Sequence, residues 1–214
     1  MLFRPRTTIV FQGDSITDAT RRRGRKGPND AGALGHGYVF HVAAELLRRH
    51  ADCDLQVYNR GISGDKVYQL ADRWGPDCLD LSPDVISVLI GVNDYWHVLN
   101  HGYGGTIRDY ERDYDALLER TREKLPNVRL VIGEPFLLLA GDFSDTHLEA
   151  FRAYREAARR VAERHDAIWV PFQQAFDEAQ QRAPASYWAP DGVHPSVAGH
   201  KLMAEAWLST VNNG

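Results

Sequence analysis

Short apolar runs alternate along the chain with longer stretches in which apolar residues recur every three or four positions. Short runs of this kind are typical of buried strands, and the longer spacing is typical of amphipathic helices. The runs predict strands over residues 7–11, 55–59, 85–90, 128–132 and 167–170. The longer periodic stretches predict helices over residues 37–49, 66–74, 107–124, 145–164, 171–181 and 196–211.

The regular alternation of strand and helix predicts the fold class. Strands joined by helical connections pair in parallel, and the helices cover both faces of the sheet. We therefore expect an α/β protein, a three-layer α/β/α sandwich around a central five-stranded parallel sheet. Ligands of such sheets bind beyond the carboxyl ends of the strands. Because Ser15, Gly64 and Asn93 each follow a predicted strand, one rim of the sheet is expected to collect them.

Length and charge restrict the classes of function. A chain of 214 residues suits a single domain, residues 1–214, with a core that needs no disulfide or metal. The formal net charge of −4 gives no electrostatic case for binding nucleic acid or an anionic membrane. The sequence has no apolar run of about 18 residues that could span a membrane, and its N-terminus lacks the apolar region of a secretory signal. The default expectation is a cytoplasmic protein, in which Cys53 and Cys78 are small buried hydrophobic residues.

Residues 17–36 form the one long polar stretch, which contains Arg21, Arg22, Arg23, Arg25 and Lys26. We favour a solvated surface loop, because exposed charges usually contribute little to folding. The alternative is a loop at the rim of a substrate site or at a subunit contact, since long loops in compact domains are often functional.

The candidate chemistry lies near the two ends of the chain. Ser15 follows the first predicted strand, and Asp191 stands three residues before His194. A serine hydroxyl becomes a good nucleophile when a base removes its proton, and an imidazole with a pKa of about 6.5 is the usual base at neutral pH. A carboxylate then fixes the tautomer of the imidazole. The three residues together predict ester hydrolysis through an acyl-serine intermediate, with Ser15, Asp191 and His194 as the catalytic residues.

Four sequence blocks in order carry a resemblance to a known family. They are Gly13-Asp14-Ser15-Ile16-Thr17, Asn59-Arg60-Gly61-Ile62-Ser63-Gly64-Asp65, Gly91-Val92-Asn93-Asp94 and Asp191-Gly192-Val193-His194. In order and residue type they resemble the SGNH subgroup of the GDSL hydrolases, and the resemblance covers nearly the whole chain. It implies a flavodoxin-like SGNH hydrolase fold and no metal or other cofactor. The residues for which the family is named correspond here to Ser15, Gly64, Asn93 and His194.

An oxyanion hole follows from the same blocks. Attack on an ester carbonyl creates an oxyanion that needs fixed hydrogen-bond donors. Asn93 offers a side-chain amide, and a glycine at position 64 lets a backbone N–H approach without an intervening Cβ. The family pattern adds the backbone N–H of Ser15, which completes a predicted hole of Ser15, Gly64 and Asn93.

Each of these residues also has an ordinary structural explanation. Ser15 can cap a helix, Gly64 can serve a tight turn, and Asn93 can bond its own backbone. Asp191 can cap a turn, and His194 can be a plain loop residue. Their occurrence together in one ordered set favours catalysis, while Asp14 is assigned to support of the loop after the first strand.

A narrower resemblance concerns the substrate. Residues 32–38, 59–67, 71–74, 90–96 and 194–200 are similar to the acetylxylan esterases and related carbohydrate O-acetylesterases. The similarity breaks around residues 184–190. It implies an acetylated sugar or xylo-oligosaccharide as substrate, a small acyl pocket and, by analogy, self-association as a homo-oligomer.

Three aromatic residues are candidates for sugar binding. Tyr95 and Trp96 follow Asn93, and Trp188 precedes the Asp191–His194 pair. Core packing is an equally open alternative for all three, since large aromatic residues are often buried whatever their function. Trp74 and Trp207, on predicted helices, are assigned to the core.

Three other functions compete with the acetylesterase hypothesis. A lysophospholipase or thioesterase of the same superfamily differs only in the acyl group. A metal-dependent hydrolase would use Asp14, Asp191, His194 and His200, but no recognised metal-ligand spacing is present. A noncatalytic carbohydrate-binding or scaffold protein is disfavoured because every chemical group for catalysis is retained.

Overall fold

A five-stranded parallel sheet forms the centre of the molecule. The computed structural model describes residues 3–213. The strands are β1 (Thr8–Gly13), β2 (Gln56–Asn59), β3 (Val85–Leu89), β4 (Arg129–Gly133) and β5 (Ile168–Val170). Their order in the sheet is β2-β1-β3-β4-β5, and every neighbouring pair is parallel. This arrangement confirms the predicted sheet, with strand ends shifted by only one or two residues.

Helices cover the sheet in two sets. The helices are α1 (Ser15–Asp18), α2 (Ala31–Leu34), α3 (Tyr38–Arg49), α4 (Val67–Asp72), α5 (Trp74–Asp77), α6 (Val92–Asn100), α7 (Ile107–Lys124), α8 (Asp145–Arg164), α9 (Phe172–Ala179), α10 (Ala185–Trp188) and α11 (Val197–Asn213). One set consists of α3, α9 and α11, and the other of α4, α7 and α8. The predicted core positions of Trp74 and Trp207 are confirmed: both are fully buried, and their indole N–H groups donate to Thr121 Oγ1 and Ser87 Oγ. Within residues 3–213, no helix has the length and apolar character to cross a membrane.

Two differences from the predicted helices have local causes. The helix predicted over residues 66–74 ends at Asp72, and α5 starts separately at Trp74. Pro76 has no N–H to donate to the Asp72 carbonyl, and its ring would collide with that carbonyl in a continuous helix. Helix α6 was not predicted because it begins after Gly91, which offers no side-chain cap to mark the start.

The polar stretch 17–36 corrects the prediction of a solvated loop. Residues 22–27 are exposed, but Thr17, Asp18 and Arg21 are buried. The Arg21 Nε–H donates to the Gly61 carbonyl at 2.8 Å. Asn29 covers the outer edge of β2, since its side chain donates to Leu55 O and accepts from the Val57 N–H. The stretch is therefore part of the packed structure on both sides of an exposed tip.

The two cysteines differ in environment. Cys78 is buried, as predicted, whereas Cys53 is half-buried in the turn before β2. Both thiols are free.

Candidate active site

Ser15 lies at the first residue of α1, directly beyond the carboxyl end of β1. The preceding Gly13 has a φ of +155°, and a Cβ there would collide with the Leu89 carbonyl oxygen of the neighbouring strand. Asp14 then caps α1, because its Oδ1 accepts the Ile16 N–H at 3.0 Å. The cap is Asp14 and not Ser15, so the Ser15 hydroxyl is left for other partners.

Folding brings the Ser15 hydroxyl to the imidazole of His194, 179 positions later in the chain. Ser15 Oγ and His194 Nε2 are 2.8 Å apart. On the other side of the ring, His194 Nδ1 and Asp191 Oδ2 are 2.6 Å apart. An N–H at Nδ1 that donates to the carboxylate leaves Nε2 as the acceptor for the serine proton.

Asp191 caps its own turn and contacts the imidazole at the same time. Its Oδ1 accepts the backbone N–H groups of Val193 at 2.9 Å and His194 at 2.7 Å, while Oδ2 faces the ring. The turn-capping explanation and the catalytic one are therefore compatible. One carboxylate oxygen accepts the backbone N–H groups and the other contacts the imidazole, so the turn fixes the direction of the side chain.

The electrostatics of this pair suit a base at neutral pH. The hydrogen bond to Asp191 outweighs desolvation and raises the pKa of His194 above its ordinary value. Partial burial favours a neutral Asp191, but bonds from the His194 side chain and from two backbone N–H groups outweigh it and lower the pKa of Asp191 to about 2. Both side chains are close to half exposed, at 47% and 46%, which makes the site open to bulk solvent.

Gly64 and Asn93 follow the two strands that flank β1. Gly64 has a φ of +87°, and the space around its missing Cβ is open. A glycine is required here by the left-handed backbone rather than by crowding, which replaces the reason expected from the sequence. Asn93 is buried, and its Nδ2 donates one hydrogen to the Asp65 carbonyl at 3.1 Å. The second N–H of that amide is the one available to a ligand.

Two buried carboxyl groups lie next to these residues in the chain. Burial raises the pKa of both Asp14 and Asp94 to about 7. Asp94 accepts the Val67 N–H with both oxygens, whereas Asp14 Oδ2 is buried without a partner. Asp14 thus supports the loop after β1, as expected, and Asp94 joins α6 to the start of α4.

His200, the last of the four metal-ligand candidates, has a structural partner. Its Nδ1 accepts the backbone N–H of Tyr38 at 3.2 Å. Burial lowers the pKa of His200 to about 4. Among the described residues 3–213, no three acidic, histidine or cysteine side chains converge as a metal site.

Of the three aromatic candidates, only Trp96 borders the imidazole, with ring centroids 6.4 Å apart. Tyr95 is 7% exposed and packs against Phe151 and Tyr154. Trp188 is 8% exposed, and its indole N–H donates to the Ala183 carbonyl. Tyr95 and Trp188 are therefore packed in the core, which was the alternative to sugar binding.

Phe143 is a neighbour of the site that sequence reasoning missed. Its ring lies 5.2 Å from that of Trp96 and packs against Gly192. The Leu138 N–H donates to the Gly192 carbonyl at 2.9 Å, so residues 138–143 support the loop that carries Asp191 and His194. No sequence motif marks this segment, which follows β4 without a charged or glycine-rich pattern.

Three features together define a class of ester hydrolase. They are the parallel sheet, Ser15 directly after β1, and the loop of Asp191 and His194 before α11. The chain belongs to the GDSL-like lipase/acylhydrolase family, whose model matches residues 11–202. It is a carboxylic-ester hydrolase.

Particular relatives narrow the comparison within the family. The chain is 34% identical to an acetylxylan esterase of Geobacillus stearothermophilus, over 95% of this chain and 93% of the relative. The crystal structure of Axe2, an acetylxylan esterase from Geobacillus stearothermophilus, is 32% identical, with a TM-score of 0.89 and coverage of 99% of this chain and 96% of its own. A Parabacteroides merdae protein described as a candidate GDSL-like lipase is 48% identical, with a TM-score of 0.96 and coverage of 99% and 98%. The predicted similarity to the acetylxylan esterase group is confirmed.

The pH dependence of the rate tests the His194–Asp191 pair. We expect kcat/KM to fall about tenfold per pH unit below the pKa of His194, because a protonated imidazole cannot accept the Ser15 proton. Since Asp191 raises that pKa, the midpoint of the fall in kcat/KM should lie above the ordinary imidazole pKa of about 6.5. Asp191→Asn should move this midpoint to lower pH. A wild-type rate that stays constant down to about pH 4 would contradict the assignment.

Replacement of Asn93 tests the oxyanion hole. We expect Asn93→Ala to lower kcat about 10²–10³-fold with little change in KM, because the lost N–H acts on charge formed in the transition state. Asn100→Ala is the matched control, since it makes the same change at the exposed end of the same helix. Steady-state kinetics gives kcat and KM of both variants, and circular dichroism checks that both are folded. A kcat of Asn93→Ala equal to that of Asn100→Ala would show that Asn93 is not an oxyanion donor.

Proposed function

We propose that this hydrolase removes O-acetyl groups from acetylated sugars or xylo-oligosaccharides through an acyl-serine intermediate. The observation that supports it is the chain of two short contacts, Ser15 Oγ to His194 Nε2 at 2.8 Å and His194 Nδ1 to Asp191 Oδ2 at 2.6 Å. The similarity to an acetylxylan esterase over nearly the full length of both proteins supports the choice of acyl group and sugar.

The first half of the reaction acylates the serine. His194 Nε2 takes the hydroxyl proton as Ser15 Oγ attacks the acetyl carbonyl, and Asp191 stabilises the imidazolium that forms. The carbonyl oxygen becomes an oxyanion that accepts bonds from the N–H groups of Ser15 and Gly64 and from the Asn93 amide. When the ester bond breaks, His194 returns the proton to the departing sugar oxygen.

Water completes the cycle. His194 removes a proton from a water molecule, which attacks the acetyl-serine carbonyl and forms a second oxyanion in the same hole. When this intermediate collapses, the bond between the acyl carbon and Ser15 Oγ breaks, His194 returns its proton to Ser15 Oγ, and the acetyl group leaves as acetate.

The openness of the site supports a bulky leaving group. Asp191 and His194 are each nearly half exposed, so an oligosaccharide can approach without a deep channel. Trp96 and Phe143 form an apolar wall beside the imidazole. An aromatic face of this kind suits the apolar face of a sugar ring or a short acyl chain.

Covalent labelling tests the nucleophile directly. We expect a fluorophosphonate to add to Ser15 alone, because only a serine activated by a base attacks the phosphorus rapidly. Mass spectrometry of the intact protein and of its peptides locates the adduct. Ser15→Ala should lose the adduct and lower kcat by more than about 10⁴-fold while the fold remains intact. An adduct on another serine, or none, would overturn the mechanism.

Acyl-chain length separates the proposed function from a lysophospholipase or thioesterase. We expect kcat/KM for p-nitrophenyl acetate to exceed that for p-nitrophenyl octanoate by about tenfold or more, because the small acyl pocket that the resemblance implies would exclude the longer chain. The shared leaving group restricts the comparison to the acyl side. Preference for octanoate would favour the alternative, and a panel of acetylated xylo-oligosaccharides then tests the sugar.

A further inference from the structure

The Arg73 guanidinium joins the loop that carries the nucleophile to the loop that carries Gly64. Its Nη2 donates to the Gly13 carbonyl at 3.2 Å, two residues before Ser15. Its Nη1 donates to the Arg60 carbonyl at 2.7 Å, and its Nε donates to Asp65 Oδ2 at 2.7 Å. These partners lie at the carboxyl ends of β1 and β2 and in the loop that follows β2.

Further contacts fix the guanidinium itself. Nη1 also lies 2.9 Å from Gln12 Oε1 and 3.2 Å from Asp77 Oδ2. The side chains of Arg73 and Asp65 are only 14% and 10% exposed. A largely buried ion pair with several hydrogen bonds holds its geometry far better than a surface pair does.

The same network reaches Asn93 through Asp65. Asp65 uses its side chain to bind Arg73 and its backbone carbonyl to accept the Asn93 amide at 3.1 Å. Gly64 is the residue immediately before Asp65. Each of the three proposed oxyanion donors is therefore tied to one guanidinium through short covalent or hydrogen-bonded connections.

We propose that Arg73 is a positioning residue that holds the donors of Ser15, Gly64 and Asn93 at a common point. The inference rests on the proposed serine mechanism. Arg73 touches no reacting atom and acts only through the residues it binds. Displacement of such donors weakens bonds to the oxyanion more than bonds to the ground-state ester, so the effect should fall on kcat.

Lysine cannot replace this arginine, although it keeps the charge. An ammonium group donates from a single nitrogen, whereas the guanidinium donates from three nitrogens in a planar fork. Arg73→Lys can keep the ion pair with Asp65 but cannot also reach the Gly13 and Arg60 carbonyls in the observed geometry.

The test compares Arg73→Lys with Arg122→Lys. Arg122 also joins two backbone carbonyls, Val128 O at 2.6 Å and His165 O at 2.7 Å, at the opposite ends of the strands. We expect Arg73→Lys to lower kcat about tenfold to hundredfold. KM should change by less than about twofold, because ground-state binding is largely retained. Arg122→Lys should leave both constants within about twofold of wild type.

Two further readouts distinguish positioning from general loosening of the fold. The acidic limb of the pH profile should stay in place in Arg73→Lys, because His194 and Asp191 are not part of the network. Asp65→Asn, which retains an acceptor for Arg73 Nε, should also lower kcat severalfold. This variant replaces Arg73→Lys in the test if Arg73→Lys does not fold.

The outcomes separate this inference from the proposed function. If wild type fails to form the fluorophosphonate adduct on Ser15, the serine mechanism falls and the inference falls with it. If wild type forms the adduct while folded Arg73→Lys or Asp65→Asn keeps the wild-type kcat, the role of Arg73 alone is overturned. A fall in kcat equal in Arg73→Lys and Arg122→Lys would likewise reduce Arg73 to an ordinary structural residue.

Discussion

The carboxyl ends of three adjacent parallel strands impose the main constraint on this molecule. The sheet order β2-β1-β3 places β1 between the other two, so the loops after these strands emerge side by side. Ser15 and Asn93 lie in the first turns of the helices that follow β1 and β3, and Gly64 lies in the loop after β2, so residues far apart in sequence share one end of the sheet. The remaining partner, His194, approaches from the loop before α11, which packs against α3 and β5. The 2.8 Å contact between Ser15 and His194 is therefore a product of sheet topology and not of local sequence.

How much the sequence predicts depends on whether a feature is local or long-range. The five strands and the long helices follow from apolar periodicity, and Asp191 and His194 lie in one short turn, so their pairing was also accessible. Arg73 was not accessible as a functional candidate. Two of its partners are backbone carbonyls, which every residue possesses, and only the folded chain brings them within reach of one side chain.

The aromatic residues after Asn93 show the same limit on a smaller scale. Successive residues of a helix point about 100° apart, so Tyr95 and Trp96 must face different surroundings once α6 exists. Tyr95 enters the core beside Phe151, whereas Trp96 turns toward His194. Because Gly91 gives no capping signal, α6 was not predicted, and without the helix the two directions were equivalent. The missed helix and the open alternatives for Tyr95 and Trp96 thus have one physical cause.

The acidic residues of the site divide according to their hydrogen-bond donors. Asp191 receives two backbone N–H groups and the imidazole N–H, which lower its pKa to about 2 and keep it ionised. Asp14 receives one backbone N–H, but burial, which leaves its other oxygen unpaired, outweighs that bond and raises its pKa to about 7. A carboxylate beside a developing oxyanion would oppose the charge that the hole must stabilise. Burial disfavours the charged form of Asp14, whereas the hydrogen bonds to Asp191 favour its charged form, on the side of the imidazole where the proposed mechanism needs it.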